Sequence, residues 1–117
     1  MSEIDRQFQE REARRAAQES ERRRHRDAAA SFLAEFFAHD VAASKTLSEH
    51  GIAATMADNR IVIHRTAAGA YADPFVITVG EHGEIDVAGR SLGRYDADDH
   101  VKLKRELTAE ILTFFDL

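Results

Sequence analysis

Residues 47–65 read LSEHGIAATMADNRIVIHR, and the period of the apolar side chains changes inside them. Up to Gly51 the large apolar residues recur every three or four positions, the spacing of a helix face. After Gly51 the period is two. Ile52, Ala54 and Met56 alternate, and in RIVIHR Ile61 and Ile63 share one face while Val62 and His64 share the other. That alternation marks half-buried strands over 52–57 and 60–65, with Asp58-Asn59 as the turn between them. Gly51 suits the left-handed residue that closes a helix. Ile52 after it is placed to touch Leu47, the apolar contact that accompanies such an ending.

Downstream the two-residue pattern continues. FVITV (75–79) is β-branched and aromatic, a strand composition. Gly80-Glu81-His82-Gly83 predicts a hairpin turn. EIDVA (84–88) then turns Ile85 and Val87 inward and Glu84 and Asp86 outward. Residues 66–74 (TAAGAYADP) read as a loop closed by the only proline, and 89–99 (GRSLGRYDADD) as a turn-rich connector. Asp96 or Asp98 is placed to cap a last helix. Within 98–116, Leu103, Leu107, Ile111 and Phe114 make one stripe, which Val101, Leu112 and Phe115 broaden. The final Phe114-Phe115-Asp116-Leu117 is rich enough in apolar bulk to belong to the core.

Upstream, Ala29, Phe32, Leu33, Phe36, Phe37, Ala43 and Leu47, with Val41 beside them, give residues 27–50 a core-facing helical pattern. Residues 3–26 are different: Glu, Gln, Arg and Ala dominate, without Gly or Pro. Acid-before-base pairs recur at helical spacing, namely Glu10 with Arg14, Glu12 with Arg15, Glu19 with Arg23 and Glu21 with Arg24. Asp27 could cap a second helix, but no helix breaker separates the two stretches, so one helix running through Asp27 is favoured. The predicted fold is α+β: a long N-terminal helix, an antiparallel meander of three to four strands, and a C-terminal helix packed on the sheet. It divides into a charged helical arm (1–26) and an α+β domain (27–117).

Composition bounds the function. The 117 residues are 44% hydrophobic, enough for one modest core. The absence of cysteine excludes disulfides, thiolate zinc sites and a cysteine nucleophile. No apolar run approaches the ~20 residues of a bilayer span. MSEIDRQF lacks the apolar segment of a signal peptide. A cytoplasmic location is expected. Arginine outnumbers lysine 13 to 3 and alanine is abundant, a bias that suggests a bacterial or phage source. Charge is unevenly placed. Residues 1–26 hold eight Arg against six Asp/Glu, a net of +2, and residues 27–117 hold eight Lys/Arg against fifteen Asp/Glu, a net of −7. A mildly basic arm is thus joined to an acidic body.

Several motifs bear on chemistry. Arg22, Arg23, Arg24 and Arg26 are a candidate set for phosphate contacts. Glu19, Glu21 and Asp27 flank the run, however, and no aromatic is interleaved for base stacking. The six histidines (25, 39, 50, 64, 82 and 100) include no pair four apart, so no metal is expected. Asp96, Asp98 and Asp99 are explained by helix capping, and no glycine and glutamate of a calcium loop follow them. Glu81, Glu84 and Asp86 surround a hairpin without the spacing of a paired-carboxylate site. The glycines at 80, 83, 89 and 93 lie outside any strand-to-helix nucleotide loop, and Ser91 lacks a nucleophile elbow. No catalytic residue, cofactor, small-molecule substrate or membrane attachment is expected.

Two exposed candidates remain, Ile4 and Phe8, an apolar pair on one face of an otherwise polar helix. The expected function is that of a non-enzymatic protein-interaction module of adaptor, immunity or inhibitor type. Its long helix would dock a protein partner or, as a homodimer, a second copy. The expected contact residues are Ile4, Phe8, Arg11, Arg15, Arg22 and Arg26. The alternative is a nucleic-acid-associated regulator working through the arginine run.

Overall fold

A computed structural model describes residues 2–67 and 73–117. The expected loop over 66–74 therefore lies largely outside the described residues. The chain folds as α1 (Glu3–Phe36), a π turn (Phe37–Val41), α2 (Lys45–Glu49), strands β1 (Ile52–Ala57), β2 (Arg60–Arg65), β3 (Phe75–Val79), β4 (Glu84–Val87) and β5 (Arg90–Arg94), a 3-10 turn (Ala97–Asp99), and α3 (His100–Phe114). The sheet is an antiparallel meander in the order β1-β2-β3-β4-β5. The α+β architecture expected from the sequence is the one observed.

α1 starts where Ser2 caps it. The Asp5 N–H donates to Ser2 Oγ at 3.1 Å, and Glu3 and Asp5 place negative charge in the first turn. The helix passes through Asp27 without interruption, as expected, and spans about 51 Å at 1.5 Å per residue. It does not reach residue 50. At its end the Ala42 N–H reaches back five residues to the Phe37 carbonyl at 2.7 Å, a π turn that brings Val41 into the core. Ser44 then accepts the Leu47 N–H at 3.2 Å and starts α2 as a separate element. Ala43 falls in the break and is exposed, not core. Gly51 closes α2 at φ +69°, with its N–H donating to the Ser48 carbonyl, and Leu47 and Ile52 on either side are both buried.

Among the described residues the meander has five strands, not three to four, because residues 90–94 form β5 rather than a connector. A two-residue turn makes this possible. Ala88 and Gly89 both have positive φ (51° and 82°), and Val87 pairs with Arg90 across them. RSLGR holds a single large apolar residue, so alternation was silent there. The ladder with β4 supplies what side-chain pattern did not. The Asp58-Asn59 turn has the same geometry, with φ 51° and 60° and Ala57 facing Arg60.

One sheet face is buried. Ile52, Ile61, Ile63, Phe75, Ile77, Ile85 and Val87 meet Ala29, Phe32, Leu33 and Phe36 of α1 and Leu107, Ile111 and Phe115 of the C-terminal segment. No polar or charged residue is buried among the described residues. On α3 the inward stripe is Leu103, Leu107, Ile111 and Phe115, four apart throughout. Phe114, expected in that stripe, stays 44% exposed although its ring lies 5.2 Å from that of the buried Phe75, and Leu117 is exposed as well. Phe115 is fixed instead: the Arg65 guanidinium donates to its carbonyl and lies 5.5 Å from the ring centre. Asp96 does cap, but it caps the 3-10 turn, accepting the Asp98 N–H at 3.0 Å.

Candidate functional site: the N-terminal arm and the cleft beneath it

The molecule measures 69 × 32 × 20 Å, with a radius of gyration of 19.0 Å. A compact chain of this length would have about 13 Å. The excess is α1. Its residues from Ser2 to Gln18 are all exposed, and burial on the helix is complete only from Ala29 onward. The first half of the helix therefore projects beyond the sheet.

The side of α1 that faces the body continues outward along this projection. Ile4, Phe8, Arg11, Arg15, Gln18, Arg22, His25, Ala29, Phe32 and Phe36 follow one another at alternating intervals of four and three residues. Such a series keeps to one side of a helix, drifting about 20° per heptad. Its last three members are buried against the sheet. Its first members have nothing beneath them, and Ile4 and Phe8 are 81% and 60% exposed. The stripe thus runs apolar, cationic, apolar from the tip of the arm to the core.

Where the arm leaves the body it roofs a cleft of about 530 Å³, lined by Arg15, Gln18, Glu19, Glu21, Arg22, His25, His82 and Arg94. The floor comes from the β3–β4 turn and the end of β5. This turn touches α1 directly. A Cβ added at Gly83 would lie 2.7 Å from the His25 carbonyl oxygen, so only glycine lets the turn come so close, and its φ of +80° suits glycine too. Within the turn the His82 N–H donates to Glu84 Oε1 at 2.9 Å, which holds the Glu84 carboxyl below the usual glutamate range. The Tyr95 ring stacks on Phe32 at 4.9 Å between centres, and burial, with Glu35 and Asp96 nearby, pushes its phenol up.

Of the expected contact residues, Arg15 and Arg22 line the cleft; Ile4, Phe8 and Arg11 lie farther out on the same side; Arg26 is half-buried near the body. Sequence reasoning did not reach Gln18, His82 or Arg94 as partners of these residues. No pattern signals that the β3–β4 turn meets α1 at His25, apart from the glycine that lets it.

The arginine run is not one surface. Successive helical residues point about 100° apart. Arg22 pairs with Glu19, and Arg23 lies 4.0 Å from the same carboxylate. Further out Arg15 meets Glu12 at 3.3 Å, while Arg6 bridges Glu3 and Glu10, which together with Gln7 holds the Glu3 carboxyl down. Glu10 and Glu21 take Arg6 and His25 rather than the expected Arg14 and Arg24. Arg11, Arg14, Arg24 and Arg26 form no ion pair among the described residues.

Among the described residues, no three His, Asp or Glu side chains come together as a metal site. None of the helices among the described residues is long and apolar enough to cross a membrane. No protein-family model, curated protein or solved structure matches the chain.

Proposed function

We propose that this protein is a non-enzymatic interaction module that holds another protein through the projecting half of α1. The observation that carries the reading is the exposure of Ile4 and Phe8 on the same side of the helix that becomes core farther along. A large apolar pair at the tip of a charged rod gains from being covered, at roughly 25 cal/mol per Å² removed from water. Arg11, Arg15 and Arg22 follow on that side, so the fitting partner offers an apolar pocket followed by carboxylates. The arginines steer and orient it, while the apolar tip supplies the affinity. Two parallel arms in register would set Arg11, Arg15 and Arg22 each against its own copy. This favours a foreign acidic protein over arm-to-arm pairing. A cytoplasmic site of action is part of the proposal, in keeping with a chain that has no cysteine.

The test is a photo-crosslinking amino acid at position 8 of the full chain, expressed in its source cells. A discrete protein adduct is expected, and Arg11→Glu with Arg15→Glu should abolish it. Binding to duplex DNA with a steep salt dependence, together with no protein adduct, would overturn the reading in favour of the nucleic-acid regulator.

A further inference from the structure

The two edges of the sheet are unlike each other. β5 is blunted: Arg90 and Arg94 flank it, Gly93 sits at φ +99°, and its register with β4 is irregular. These are the devices by which an edge strand resists pairing with another chain. The opposite edge, β1, has none of them. Its sequence is Ile-Ala-Ala-Thr-Met-Ala, without charge, proline or bulge, in unbroken register with β2 from Ile52 to Ala57.

Backbone alternation says which groups on β1 are free. The Thr66 N–H donates to the Gly51 carbonyl at 2.8 Å, so Gly51 belongs to the set that bonds toward β2, along with Ala53, Thr55 and Ala57. Ile52, Ala54 and Met56 therefore turn N–H and C=O to the open side. Among the described residues, no backbone or side-chain group from outside the strand bonds to them there.

We propose that β1 pairs antiparallel with β1 of a second copy of this chain, about a two-fold axis at Ala54. The strand's own sequence selects that occupant and that register. With Ala54 opposite Ala54, Ile52 of each copy faces Met56 of the other on the core side, and Ala53 faces Thr55 on the outer side. Every outward backbone group from 52 to 56 finds its complement, and no charge meets a like charge. Met56, half-buried in the single chain, becomes covered. Five strands from each copy then form one continuous sheet. Both arms remain free, so the dimer offers two copies of the α1 surface, and a partner able to span them gains avidity.

Light scattering on the full chain tests this. The expected mass is twice the 13.1 kDa of one chain. Ala54→Pro removes an outward N–H while leaving the bonds to β2, and it should give a monomer with the circular dichroism of the parent. A second variant does not rely on weakening the interface. The natural chain has no cysteine. Ala53→Cys with Thr55→Cys sets each new thiol across from its counterpart in the other copy. Their Cα separation is that of a non-hydrogen-bonded pair, about 4.5 Å, within reach of a disulfide. The double variant should oxidise to a covalent dimer, and Thr55→Cys alone should not. A monomeric parent would overturn the proposal. So would a dimer that survives Ala54→Pro but dissociates on Ile4→Asp with Phe8→Asp, which would assign self-association to the arm. Crosslinking at position 8 by a foreign protein is a separate readout, unaffected by Ala54→Pro.

Discussion

The His25 carbonyl oxygen lies 2.7 Å from where a Cβ on Gly83 would stand. The contact joins the last exposed stretch of α1 to the β3–β4 turn, and it fixes where the arm departs from the body. Gly83→Ala adds a methyl against backbone that cannot swing aside and forces φ of +80° on an L side chain. The expected cost is about 2–4 kcal/mol, from overpacking and left-handed strain together. Urea denaturation gives the value. Loss of the His25–turn contact should also speed amide exchange across residues 80–84.

Ala88 is strained in the opposite sense. It holds φ 51° with no glycine's freedom, at the first position of a two-residue turn that favours Asn or Gly. Ala88→Asn should stabilise the fold by about 0.5–1 kcal/mol, measured as a higher urea midpoint with unchanged slope. An equal or lower midpoint would mean that residue 88 carries no left-handed strain in the folded chain.

Phe32 and Phe8 lie on one continuous helix and should behave oppositely. Phe32 is buried between Phe36, Tyr95 and His100, with ring centres 4.9 Å from Tyr95 and 5.1 Å from His100. Phe32→Ala should cost about 3–5 kcal/mol. Phe8→Ala should change stability by no more than about 0.5 kcal/mol. The same Phe8 substitution should weaken partner binding, so the pair separates folding from function in one experiment.

Glu84 makes the β3–β4 turn sensitive to acid. Its carboxylate accepts the His82 N–H, and its pKa in the folded protein is lowered. A lowered carboxylate pKa contributes stability that is present above the ordinary glutamate range and lost as pH falls through the folded value. The group is largely solvated, so the effect is small. Stability measured from neutral pH downward should fall less steeply in Glu84→Gln than in the parent, with the difference confined to the acid end.

The arm should be the least protected helix. It has no core contact before residue 19, and its helicity rests on Ser2 and on ion pairs three and four residues apart. Each such pair is worth about 0.2–0.5 kcal/mol and is screened by salt. Amides of residues 6–18 should exchange much faster than those of residues 30–36, and faster again in molar salt.

Local rules settled much of this protein from its sequence. The switch of period at Gly51 separated helix from sheet, because a side-chain period of two cannot serve a helix and one of three to four cannot serve a strand. The alternation in 60–65, 75–79 and 84–88 chose the buried face of the sheet. Absent breakers between residues 3 and 36 made α1 continuous, and Ile4 and Phe8 stood out as apolar residues with no local company. Tertiary structure decided what local pattern leaves open. β5 exists because β4 offers it a ladder across Ala88-Gly89, although RSLGR has no alternation of its own. Helix α1 stops at Phe36 because a π turn brings Val41 into the core and Ser44 caps the next element. Phe115 rather than Phe114 is fully buried, with Arg65 holding its carbonyl and ring. His82 and Arg94 come to lie beneath Arg15 and Arg22 only because the β3–β4 turn packs on His25, a contact between residues far apart in sequence that no short-range spacing encodes.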